Sequence, residues 1–129
     1  MPNGRASHSH RQHRFTKGDS ALAARLRREI EGEVLFDAFS RGRYSTDASH
    51  YQIGPIGVVV AKTEQDVRTV MEIAAEEGIP VLPRGGGTSQ CGQTIGEALV
   101  VDVSKHLNRV IDFDAEAGTV SVEPGIALD

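Results

Sequence analysis

The chain is poor in cysteine, has no excess of positive charge and contains no long apolar run; each absence removes a class of function. Cys91 is the only cysteine, so an intrachain disulfide is excluded and a reducing compartment is expected. A formal net charge of -4 gives no support to nucleic-acid binding as the main task. No apolar stretch approaches the roughly 20 residues a membrane helix needs. The opening residues, MPNGRASHSHRQHRF, lack the apolar centre of a secretory signal. These features predict a cytoplasmic, soluble chain. At 129 residues, 39% of them hydrophobic and 25% charged, it is one globular domain or part of one.

Composition divides the chain into three spans. Residues 1–19 read as a disordered polar tail, with His8, His10 and His13 set among Arg5, Arg11, Arg14 and Lys17. Three histidines this close have the chemistry for a metal, but a flexible tail is the reading taken and no metal site is assigned. Residues 20–54 read as a helical segment and a loop. A helix is expected after the cap residues Asp19-Ser20, with Leu22, Leu26 and Ile30 as its apolar stripe. Gly32 interrupts it, and Val34, Leu35, Phe36 and Phe39 predict a second short helix stopped at Arg41-Gly42-Arg43. Tyr44 to Tyr51 read as an ordered loop, in which Asp47 is a turn or cap residue.

From Pro55 onward the chain changes character. Val58-Val59-Val60 predicts a buried strand, and Thr63 to Asp66 a capped helix start. Val67, Val70, Met71 and Ala74 form the helical stripe, which Gly78 closes. Pro80-Val81-Leu82 is the next strand, giving a βαβ unit with a parallel strand pair. Ala98 to Val103 and Arg109 to Phe113 are further strands, and the latter forms a hairpin with Thr119 to Glu123. The fold class is α+β: an α/β part, then a strand-rich part.

Between the second and third of these strands stands Arg84-Gly85-Gly86-Gly87-Thr88-Ser89, where ligands of βαβ units gather. Consecutive glycines weaken packing, and their usual function is to let backbone N–H groups approach an anion, most often phosphate. The alternative is that they only make tight turns. The dinucleotide pattern G-x-G-x-x-G fails because Gln90 holds the third glycine's place. The P-loop pattern also fails, since Gln93 replaces the lysine and a strand, not a helix, follows.

Residues Pro55 to Val60 with Thr63 to Val67, then Arg84 to Ser89 with Gly92-Gln93, resemble the FAD-binding domain of the vanillyl-alcohol oxidase / p-cresol methylhydroxylase family. Val122-Glu123-Pro124-Gly125 strengthens the likeness. Arg43 to Ser49 and Asp102 to Arg109 are similar to the branch of FAD-linked dehydrogenases acting on D-2-hydroxy acids, some fused to an iron–sulfur part. The resemblance implies that Gly85, Gly86, Gly87, Thr88 and Ser89 wrap the FAD pyrophosphate, with Gly92 and Gln93 as a second approach. Arg84 either neutralises charge beside the pyrophosphate or is structural. Relatives that attach FAD covalently use a histidine where Thr88 stands, so FAD is expected to be non-covalent. The implied reaction is hydride transfer from a small 2-hydroxy acid to FAD, with electrons passed to an iron–sulfur protein or quinone.

The resemblance also places residues 55–129 in the first portion of an incomplete FAD-binding domain, with substrate groups and the catalytic base beyond Asp129. An iron–sulfur cluster would belong to a missing C-terminal part. Two alternatives stay open: a non-catalytic nucleotide-binding or partner-docking fragment, and a flavin reductase of cell-wall precursor synthesis sharing the domain. Among single residues, Cys91 reads as a small buried filler. His106 reads as a surface residue before a strand, and His50 as a loop contact. Asp102, Asp112 and Asp114 are too scattered to propose a pair.

Overall fold

The computed structural model of the chain describes residues 16–127. Helix α1 (Ser20–Glu29) starts where Asp19 accepts the Leu22 N–H at 2.9 Å, and it buries Leu22, Ala23 and Leu26. Just before it, Gly18 donates its N–H to the Ile56 carbonyl at 2.7 Å, so this end is tied to the later chain. The histidines His8, His10 and His13 lie outside the described residues.

The expected second helix is corrected. Glu33–Leu35 is strand β1, and helix α2 comes later, at Ala38–Arg43. The cause lies in Gly32, where a Cβ would sit 2.1 Å from the Val60 carbonyl oxygen. That close approach delivers Val34 and Leu35 to opposite faces of a sheet rather than to one face of a helix. Arg41, Gly42 and Arg43 lie inside α2, whose cap residues are Asp37 and Tyr44.

Strand β2 (Gly57–Val60) leads into helix α3 (Glu64–Glu77) and strand β3 (Val81–Arg84). Thr63 accepts the Asp66 N–H at 3.1 Å at the helix start. Gly78 ends the helix at φ 68°, a left-handed conformation that favours glycine. The buried stripe of α3 includes Val70, Ile73 and Ala74, while Met71, expected on it, is half exposed. Strand β4 (Leu99–Asp102) inserts between β2 and β3, giving the order β1-β2-β4-β3. So β2 and β3 are parallel, as the βαβ pattern predicts, but not adjacent. Pro83 is accommodated because β3 is an edge strand.

Alternation along the strands builds two apolar layers. Val59, Leu99 and Val101 meet α1 and α3 on one face. Val58, Val60 and Val100 pack with Leu35, Tyr44 and Leu82 on the other. Asp66 joins the turns beneath this core: one oxygen accepts the Glu31 N–H and the other the Gly32 and Lys62 N–H groups, at 2.9 to 3.0 Å. The strand-rich part is a separate hairpin of β5 (Val110–Asp114) and β6 (Thr119–Val122). It leaves Val110, Ile111, Phe113 and Val120 exposed. Among the described residues no helix is long and apolar enough to cross a membrane.

Candidate functional site

The glycine loop leaves the carboxyl end of β3, and its glycines fall into two kinds. Gly87 has φ +70° and Gly92 φ +78°, so both occupy backbone conformations that disfavour a side chain. Beneath Gly87 a Cβ would lie 2.5 Å from Arg84 Nη2, and at Gly92 it would lie 2.9 Å from the Tyr51 ring. These two glycines are required by the fold. Gly85 and Gly86 are not: neither has positive φ. A Cβ on Gly85 would meet nothing within 4 Å, and on Gly86 only Thr88 Cγ2 at an ordinary 3.7 Å. Their backbone borders open space, so no atom within 4 Å of a Cβ on Gly85, and only Thr88 for Gly86, bears on the choice of glycine there. A strand end whose backbone carries no side chains has room for an oxyanion to approach.

The remaining predicted loop residues form a compact turn. Ser89 Oγ bonds the Gln93 amide oxygen and accepts the Gln93 and Cys91 N–H groups, both at 3.4 Å. Ser89 and Gln93 therefore engage each other, while Thr88 stands exposed at the tip. Cys91 is exposed, not buried as expected, because this turn carries it on the surface.

Arg84 turns inward under the loop. Its Nη1 donates to the Tyr44 and Thr94 carbonyls at 3.3 and 3.4 Å, and its Cζ lies 5.1 Å from the Tyr44 ring centroid. That distance is within range of a cation–π contact. The Tyr44 hydroxyl donates to Asp102 Oδ2 at 2.5 Å, and Asp102 Oδ1 accepts from Ser104 N–H and Oγ at 2.8 and 2.6 Å. Burial, followed by the bond to Asp102, pushes the Tyr44 phenol up to about 12. Arg84 and Asp102 are register partners on neighbouring strands, and Tyr44 spans both.

A second clamp holds the far end of the loop. Asp47 Oδ2 accepts the Thr94 hydroxyl at 3.0 Å, while Oδ1 accepts the Ser49 N–H at 2.8 Å. Hydrogen bonding from Ser49, ahead of that from Thr94, lowers the Asp47 carboxyl below its ordinary value. Sequence reasoning grouped neither Tyr44, Asp47, Thr94 nor Asp102 with the site. The strand alternation of Leu82 with Arg84 and of Val100 with Asp102 was the available signal, because it places both polar side chains on one face.

His50 is exposed and His106 partly buried, and neither takes part in these contacts. A separate cleft of about 480 Å³, between the start of α3 and the start of β5, includes Lys62, Leu107 and Arg109 but no loop residue. Among the described residues no group of three His, Cys, Asp or Glu side chains could hold a metal ion.

Comparison with known proteins adds the following. Residues 55–129 match the family described as FAD binding domain. D-2-hydroxyglutarate dehydrogenase of Escherichia coli strain K12 is 42% identical over 101 residues, covering 76% of this chain and 10% of that protein. Glycolate oxidase subunit GlcD of Bacillus subtilis strain 168 is 34% identical over 102 residues, covering 76% of this chain and 22% of that one. The chain thus spans about a tenth to a fifth of the length of these relatives. Among solved structures, alkyldihydroxyacetonephosphate synthase superposes with a TM-score of 0.70 at 17% identity, over 82% of this chain and 24% of that one. Substrate-bound p-cresol methylhydroxylase gives 0.65 at 21% identity, over 84% and 22%. The α+β fold of this type of FAD-binding domain is therefore shared.

Proposed function

The chain belongs to the FAD binding domain family, and from that membership we propose that its glycine loop holds the diphosphate of FAD in a flavin-dependent oxidoreductase of 2-hydroxy acids. One observation carries this reading: Gly85 and Gly86 lack side chains although neither their dihedrals nor their neighbours require it. A diphosphate lying against the backbone supplies the missing reason, because a methyl group would hold it off the N–H donors. Gly85, Gly86 and Gly87 offer backbone donors, Thr88 its exposed hydroxyl, and Ser89 and Gln93 keep the turn closed around them. Gly92 lets the chain pass under Tyr51.

When bound, FAD supplies two-electron acceptor chemistry that no amino-acid side chain provides. The contribution of this chain is to bind and orient it. The two relatives bear the names of 2-hydroxy acid substrates, 2-hydroxyglutarate and glycolate, which supports a substrate of that class for the parent protein. The electron acceptor of that reaction is proposed to be an iron–sulfur protein or a quinone, and no catalytic base is assigned among the described residues.

The test is a titration of the purified chain with FAD, followed by flavin fluorescence. Saturable quenching that Gly86→Asp abolishes is expected, since a carboxylate would face the phosphates. Quenching unaffected by that substitution would reject the loop as the binding site.

A further inference from the structure

Arg84 precedes the glycines and carries the only formal charge between Val81 and Thr94, which makes it the obvious counter-ion for a bound diphosphate. Its geometry argues otherwise. The guanidinium lies under Gly87 and stacks toward Tyr44, and it donates to two backbone carbonyls 40 and 10 residues away in sequence. Those bonds hold Nη1 inside the protein, while Nη2 and Nε lie against the underside of Gly87. We infer that Arg84 is a positioning residue: with Tyr44 and Asp102 it forms an internal brace that fixes the glycine loop in its ligand-ready shape, without contacting the ligand. The inference rests on the reading that the loop binds FAD.

The brace has a physical logic. Asp102 accepts a hydrogen bond from the Tyr44 phenol and so enriches the ring in electron density, which favours a cation over its face. The ring in turn holds the guanidinium where its Nη1 donates to both the Tyr44 and the Thr94 carbonyls. Thr94 is also held by Asp47, so both ends of the loop are anchored to the segment following α2. A loop ordered before binding spares the ligand the entropy of ordering it. Lysine could keep the charge of Arg84 but could not reproduce the fixed, forked donor geometry that places Nη1 on two carbonyls with Cζ over the Tyr44 ring.

The experiment compares Arg84→Gln, Arg84→Lys, Tyr44→Leu and the Arg84→Gln/Tyr44→Leu pair in the full chain, with folding checked by circular dichroism. The brace predicts that each single change weakens FAD binding about tenfold, and that the double change is no worse than either alone. Arg84→Lys should behave like Arg84→Gln, and the salt dependence of binding should not change. Direct charge contact predicts the reverse: Arg84→Lys near wild type, Tyr44→Leu neutral, and a flatter salt dependence without Arg84. Any of these three would overturn the inference. Hydrogen exchange of residues 85–94 without ligand gives an independent readout. Faster exchange in both Arg84→Gln and Tyr44→Leu supports the brace, and unchanged exchange in either refutes it. Should the wild-type chain fail to bind FAD, the proposed function falls, while the exchange measurement still decides the brace.

Discussion

Replacing Gly85 by alanine should separate folding from binding. The added Cβ meets no atom within 4 Å, and the backbone there is not left-handed, so the folded state bears no steric cost. The unfolded chain loses freedom, which stabilises by about 0.4–1 kcal/mol and raises the melting temperature by roughly 2–4 °C. Binding should move the other way. A methyl group that displaces one charge-assisted N–H contact removes about 1.5–3 kcal/mol, a loss of roughly ten- to a hundredfold in affinity for FAD. Gly87→Ala provides the contrast. Its φ of +70° costs about 1–2 kcal/mol. The new Cβ, 2.5 Å from Arg84 Nη2, also pushes the guanidinium off its carbonyl partners, so this variant should lose both stability and affinity. Urea unfolding and flavin titration on the same preparations measure the two quantities. If Gly85→Ala destabilises by more than about 1 kcal/mol while binding is unchanged, its glycine serves the fold and the reasoning fails.

Two further outcomes follow from the geometry. The chain has two tyrosines and no tryptophan, so phenolate absorbance reports tyrosine ionisation cleanly. A step near pH 12 should be present in the wild type and absent in Tyr44→Phe. Because the folded phenol titrates above its ordinary value of 10.0, its contribution to stability is complete below pH 10.0 and is lost as pH rises toward about 12. Asp66→Ala should lower stability by about 3–4 kcal/mol in urea unfolding, since it strands the Glu31, Gly32 and Lys62 N–H groups. Recovery by Asn should be partial, because its amide turns one donor toward other donors. A loss under 1 kcal/mol would show that water replaces the carboxylate.

Much of this was legible from local chemistry. The caps at Asp19 and Thr63, the stop at Gly78 and the β5–β6 hairpin each depend on residues within a few positions, and each is where the sequence puts it. Strand β1 was not, because three residues are too few to distinguish alternation from helical spacing. The demand for Gly32 lies in the Val60 carbonyl, 28 residues away. The insertion of β4 between β2 and β3 is likewise a long-range choice that no local pattern encodes.

The site divides in the same way. Gly85 to Gly87 carry the proposed anion site, and the absence of a third glycine and of a lysine removes the two commonest phosphate loops. What the sequence hides is which glycines serve the ligand and which serve the fold. That depends on Arg84 beneath Gly87 and on Tyr51 over Gly92. The bond from Tyr44 to Asp102 joins residues 58 positions apart, and the bond from Thr94 to Asp47 joins residues 47 apart.

The central claim is that the loop recognises a diphosphate, and calorimetric titration of the chain with FAD and, separately, riboflavin tests it most directly. Saturable binding of FAD that ADP displaces is predicted, with no binding of riboflavin at the same concentrations. Riboflavin binding as tightly as FAD, or FAD binding that ADP leaves untouched, would contradict it.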